Sequence, residues 1–249
     1  MQKIVDQLKP LIPYRTIPVL LYHQIDNPSK EKDPNSLSIT SKVFDGQLKV
    51  ISDKLFKCIC LQETETIKKD TARQAARVLF LTFDDGYLGV YQNAFPLLLK
   101  YKFTATIFLA TSYVGKTSQW GKTSIPIITW AQIREMKKHG FSFQSHSCTH
   151  PDLTKIEDKQ VLTELHDSKK KIEDEVGATV DYFAYPFGRY SQRIMDSVKD
   201  AGYLAAYADS KTNQGRFCRE RINILVKDKD YIFKLKTSYW ASWVRRIIK

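Results

Sequence analysis

Val78-Leu79-Phe80-Leu81-Thr82-Phe83-Asp84-Asp85-Gly86-Tyr87 is the stretch from which the fold is read. Its first six residues have the length and the aromatic, β-branched and leucine content of a buried strand. The run stops at two aspartates and a glycine. Adjacent carboxylates at a strand end repel each other, and partial burial raises the cost. A divalent ion would relieve one carboxylate and leave the other free as a base.

Outward from this run, short β-rich segments alternate with helical ones. Strands are expected at 18–22, 57–61, 78–83, 104–110, 141–145, 182–185, 203–207 and 222–226. Helices are expected at 43–55, 91–100, 129–139 and 159–176; the last places Val161, Leu165, Ile172 and Val176 on one stripe. Such alternation predicts an α/β fold, either a (β/α) barrel or an open sheet. The polar residues that stand out follow strands: His23, Asp84 with Asp85, His146, and Pro186-Phe187-Gly188. In α/β barrels reactive groups gather at the C-terminal ends of strands. The segment 26–40, rich in Pro, Lys, Asp and Ser, reads as a loop flanking the cleft.

Ser145-His146-Ser147-Cys148-Thr149-His150-Pro151 sets two histidines four residues apart. On a helical turn they would share one face, about 5–6 Å apart at Cβ. With one aspartate they form an Asp-His-His set that leaves positions open for water and substrate, as a catalytic zinc site requires. Cys148 points away from that face. His23, in Val19-Leu20-Leu21-Tyr22-His23, is on residue type alone more often structural than catalytic. His139 and His166 lie on amphipathic helices and read as surface residues.

Composition sets bounds. A chain of 249 residues can bury one large core, and its 43% hydrophobic content is that of a globular protein. No apolar run approaches the ~18 residues of a membrane span. Met1–Gln7 carries an early acid and no apolar core, so it does not read as a signal peptide. The four cysteines, Cys58, Cys60, Cys148 and Cys218, fit no zinc-knuckle spacing and read as free thiols in a reducing compartment. A formal charge of +12 fits an anionic partner or simply a basic solvated surface. The basic residues form no nucleic-acid module, and none is expected. The tail 238–249 places Trp240, Trp243, Val244, Ile247 and Ile248 on one face beside Arg245, Arg246 and Lys249. It reads either as a helix packed on the barrel or as one lying in an anionic membrane interface.

Taken together these segments resemble the carbohydrate esterase family 4 polysaccharide deacetylases. Thr82-Phe83-Asp84-Asp85-Gly86 resembles the first family motif, and His146-Ser147-Cys148-Thr149-His150 the second. Trp130, Gly140 and Pro151-Asp152-Leu153-Thr154 match the surrounding text, and Tyr182-Phe183-Ala184-Tyr185-Pro186-Phe187-Gly188 is a reduced third motif. The motif order, with Pro18-Val19-Leu20-Leu21-Tyr22-His23 at the start, is similar to the branch containing biofilm poly-N-acetylglucosamine deacetylases. The resemblance covers roughly residues 16–226 and implies a distorted (β/α) barrel of about seven to eight strands, one domain over 1–249, with 227–249 as a basic tail.

It also implies roles. Asp85, His146 and His150 would bind a divalent metal, Zn first, with Co, Ni, Fe or Mn also suited to such ligands. Asp84 would be the general base and His23 the acid. The backbone N–H of Phe187 would serve the oxyanion, with Tyr185 and Pro186 near the substrate. The implied substrate is an N-acetylated glycan or a lipid-linked sugar. The implied placement is cytoplasmic, peripheral to the membrane through the tail, or outside the cell if a signal has been removed. Deformylation of a lipid-linked amino sugar and a glycan-binding pseudoenzyme are the competing readings. The family's third motif usually begins with an arginine that orients the base; position 184 is alanine, and Arg219 or Arg221 is the candidate replacement. The tryptophan-bearing fourth motif is not evident.

Overall fold

The structure is a computed structural model, and it describes residues 17–27, 33, 37–63, 78–209, 215–226, 228 and 230–237. Its frame is a parallel sheet. The strands are β1 (Val19–Tyr22), β2 (Gln24–Ile25), β3 (Ser38–Ile39), β4 (Lys57–Ile59), β5 (Val78–Phe83), β6 (Thr106–Leu109), β7 (Ser142–Ser145), β8 (Tyr182–Ala184), β9 (Ala205–Ala208), β10 (Arg219–Glu220) and β11 (Ile222–Asn223). The main sheet runs β10-β9-β8-β7-β6-β5-β1-β11, with β4 against the start of β5. Its two ends, β10 and β11, are consecutive in sequence and separated by Arg221 alone. The stretch 219–223 therefore pairs with β9 through its first half and β1 through its second. That brings the sheet nearly to closure as a barrel, single-domain and flanked by helices.

Strand alternation sorts the apolar residues into two clusters. Val19, Ile59, Val78, Phe80, Phe108, Tyr182, Ala184, Ala205 and Tyr207 fill the barrel. Leu20, Leu79, Leu81, Phe83, Ile107, Phe143, Phe183 and Ala206 face outward onto the helices. The flanking helices are α1 (Ser41–Asp53), α2 (Phe95–Lys100), α3 (Trp130–Lys138), α4 (Asp158–Val176), α5 (Gln192–Asp200) and α6 (Asp230–Lys236). They meet the sheet through single apolar stripes; α4 buries Val161, Leu165, Ile172 and Val176.

Several boundaries differ from expectation. The segment 91–100 is a π-turn, Val90–Ala94, running into α2, whose first turn carries Pro96 and so lacks one backbone donor. The strand expected at 222–226 shrinks to Ile222–Asn223, and its pairing with β1 ends where Ile224 N donates to Leu21 O. Helix α5 was not foreseen; Ser191 caps it, with its side chain accepting from Ile194 N. The loop 26–40 contains β3, paired with β2, and part of that loop lies outside the described residues. So does the whole of the tail 238–249. No helix among the described residues is long and apolar enough to cross a membrane.

Candidate active site

The alternation that turns Val78 and Phe80 into the barrel carries on to Thr82 and Asp84. The same parity leads from Val19 to His23, from Ser142 to His146 and from Ala205 to Asp209. Four strands thus deliver a polar side chain to one end of one cavity. His23, Asp84, Asp85, His146, His150, Asp209, Tyr185 and Phe187 line a cleft of about 280 Å³, at the small end of ligand-binding cavities.

Asp84 and Asp85 point differently because the chain turns sharply between them. Asp85 has φ 70° and Gly86 φ 72°. A Cβ at Gly86 would meet Leu109 Cδ2 at 2.8 Å. Asp84 is held by Arg221, whose Nη1 and Nη2 donate to Oδ1 and Oδ2 at 2.7 and 2.6 Å. Arg221 is buried, with its guanidinium 5.4 Å over the Phe108 ring inside the barrel. It enters from the closing stretch 219–223, and its own N–H bonds Ala208 O. Of the two arginines considered to replace the motif residue absent at Ala184, the structure brings Arg221 to Asp84. Arg219 instead pairs in β10 opposite Tyr207.

Asp85 faces both histidines. Its Oδ1 lies 3.2 Å from His150 Nε2 and 3.5 Å from His146 Nε2, and the two Nε2 atoms are 3.2 Å apart. His146 Nδ1 meets Ala184 O at 2.8 Å. That contact assigns the proton to Nδ1 and turns the Nε2 lone pair toward Asp85.

The two histidines do not lie on a helical turn. Residues 146–150 form a tight loop in which Ser147 and His150 both have positive φ, 68° and 58°. Left-handed backbone in non-glycine residues is costly and needs support. Ser147 Oγ accepts from His150 N, and Ser145 Oγ from Ser147 N. Glu164, on α4, accepts from the backbone N–H groups of Cys148 and Thr149 at 2.7 and 2.8 Å and from Thr149 Oγ1 at 2.6 Å. Sequence reasoning missed Glu164, whose position on an amphipathic helix carries no signal of that role.

Charge and burial compete in this cleft. Burial raises the Asp84 carboxyl, but the Arg221 guanidinium, through its charge and its hydrogen bonds, holds it below the ordinary carboxylate value. Burial raises Asp85 too, and His150, His23 and His146 outweigh it. His146 is pushed down to about 4, chiefly by burial. Its imidazole is therefore neutral near pH 7, with a lone pair to offer. Asp209 is shifted upward, mainly by burial.

The donor atoms of Asp85, His146 and His150 lie within 4.8 Å of one another. Asp85 Oδ1 is buried without a hydrogen-bond partner among the described residues. One carboxylate and two imidazoles, with an unsatisfied oxygen among them, fit a divalent ion and leave coordination positions open.

The remaining expected residues are less central. Tyr185 lines the cleft, but its hydroxyl donates to Phe217 O at 2.7 Å. Pro186 is buried in the turn below. Phe187, at φ 58°, presents a half-exposed ring over the cleft. Cys148 Sγ turns to Glu164 O. Trp120, Asn223 and Asp209 line the cleft and carry no motif signal.

A family model described as polysaccharide deacetylase matches residues 71–206. YxkH of Bacillus subtilis (strain 168) is 27% identical over 212 residues, 84% of this chain and 71% of that protein. The poly-beta-1,6-N-acetyl-D-glucosamine N-deacetylase of Staphylococcus aureus (strain MSSA476) is 27% identical over 185 residues, 70% of this chain; the match spans 62% of that enzyme. The structure of the Streptococcus pyogenes deacetylase PplD in complex with acetate is similar with a TM-score of 0.77 at 29% identity. It covers 89% of this chain and 98% of that one.

Proposed function

The chain belongs to the polysaccharide deacetylase family, and from that premise we propose that it hydrolyses the N-acetyl group of an N-acetylglucosamine-type sugar in a cell-surface glycan or its lipid-linked precursor. The observation that carries the reading is one cleft holding both the Asp85, His146 and His150 donor set and the Arg221-bound Asp84. The name of the staphylococcal relative supports the sugar. Asp85, His146 and His150 would hold a divalent ion, zinc in the first instance, which would supply Lewis acidity to the site.

The chain's own residues do the rest. Asp84 takes the proton of the attacking water; Arg221 keeps it ionised and fixes both its oxygens. The backbone N–H of Phe187 donates to the oxyanion, the role the family resemblance gives it. His23 hands a proton to the departing nitrogen, because an amide anion is a very poor leaving group. Water adds to the carbonyl carbon, the C–N bond breaks, and acetate and a free amine remain. The reaction takes place at the cytoplasmic face of the membrane or in the cell envelope.

The substrate is tested by measuring acetate and formate release from β-1,6- and β-1,4-linked N-acetylglucosamine oligomers and from N-formyl and lipid-linked amino sugars. Acetate from a glucosamine oligomer supports the reading. Formate alone would move the activity to deformylation. Glycan binding without release of either acid would make the chain a pseudoenzyme.

A further inference from the structure

The two histidines of the donor set are oriented by different physics. His146 is aimed by its Nδ1 contact to Ala184 O, the kind of support that metal-binding histidines ordinarily use. His150 Nδ1 is buried and has no hydrogen-bond partner among the described residues. Its ring instead lies parallel to the indole of Trp120, with centroids 4.3 Å apart and planes inclined by 20°. Phe187 meets the same ring edge-on at 4.7 Å and 73°.

Trp120 is itself fixed. Tyr113 packs edge-on against it at 5.2 Å, and Tyr87 stacks at 6.3 Å. The segment carrying it is tied by Ser118 N to Ile125 O, Ile127 N to Lys116 O and Ile125 N to Ser118 Oγ. A braced indole is thus pressed against the imidazole of the pair whose Nδ1 has no polar partner among the described residues. An imidazole sharing a cation's charge is drawn to the negative face of an indole. The contact therefore favours the metal-loaded ring as well as its orientation.

We propose that Trp120 is a positioning residue for His150, its stacked indole doing for that ligand what the Ala184 carbonyl does for His146. The inference rests on the metal reading above and deepens it.

The test is cobalt(II) titration of the metal-free protein, read as dissociation constant and visible absorption spectrum, for wild type and the Trp120→Phe, Trp120→Leu and Trp120→Ala variants, each checked for fold by circular dichroism. Trp120→Ala and Trp120→Leu are expected to weaken cobalt binding about 10–100-fold, the usual effect of losing a ligand's outer support, and to shift the spectrum. Trp120→Phe, which keeps a ring to stack, is expected to stay within about threefold of wild type. Trp120→Leu binding as tightly as Trp120→Phe, or Trp120→Ala leaving affinity and spectrum unchanged, would overturn the inference. Wild type failing to bind cobalt would sink the metal reading itself, and that is seen before any variant is made.

Discussion

Asp84 is a buried carboxylate whose partner arrives from 137 residues away, and the pair is nearly solvent-free, with side-chain exposures of 0% for Arg221 and 4% for Asp84. Such a pair contributes modestly when intact, but removing one member leaves an uncompensated charge. Arg221→Met is expected to cost about 3–5 kcal/mol in urea unfolding. Arg221→Lys retains the charge but loses the two-point contact, and should lower kcat more than it raises KM.

Two groups make the metal-free protein less stable in acid, each over its own pH window. The Asp84 carboxyl is lowered on folding. Its contribution is fully present above the ordinary value of about 3.9 and is lost as pH falls through the lower folded value. His146 is a base lowered to about 4 by burial, so the unfolded chain binds its proton first. Stability should therefore fall as pH drops from about 6.5 toward about 4. His146→Gln is expected to flatten the upper part of the pH–stability profile, and Arg221→Met the acid part. Identical profiles for wild type and His146→Gln would contradict the assignment.

Among the elements, β5 is legible because five apolar residues and one threonine, all of strand type, end on a charged pair, a pattern that local physics alone interprets. Helices α1, α3 and α4 are legible from their stripes, and α3 also from its Thr129–Gln132 capping box. The loop 146–150 is legible only in its ligands. Four-residue spacing suits a helical turn, yet these imidazoles converge through two left-handed residues braced by a carboxylate on another element. Nothing local announces that bracing, since Glu164 lies 14 residues past His150. Glu164→Ala would leave two backbone donors without their acceptor. It is expected to cost about 1–3 kcal/mol and to weaken metal binding while α4 keeps its helicity by circular dichroism. Wild-type metal affinity in that variant would show that the loop holds its shape unaided. Gly86→Ala should also destabilise, because it forces a side chain into left-handed backbone beside Leu109.

Across the whole molecule, barrel closure decides what motif reading leaves open. Arg219 and Arg221 flank one glutamate, and composition does not choose between them. The choice follows from the switch of pairing partner at position 221, where the stretch leaves β9 for β1 and the guanidinium enters the barrel. That switch is a long-range property of the sheet, invisible in a window of sequence. The basic tail 238–249 lies outside the described residues, and its membrane contact is a proposal: deletion should reduce binding to anionic liposomes, and unchanged binding would remove it.

The central claim is that a metal-loaded Asp85, His146 and His150 set works with Asp84 as base. It is tested most directly by acetate release from a β-1,6-linked N-acetylglucosamine oligomer, comparing wild type, chelator-treated and metal-restored protein, and Asp84→Asn. The account predicts release by wild type, loss with chelator, recovery on adding a divalent ion, and a roughly 10²–10⁴-fold lower kcat for Asp84→Asn. Full activity in the chelated protein or in Asp84→Asn would contradict it.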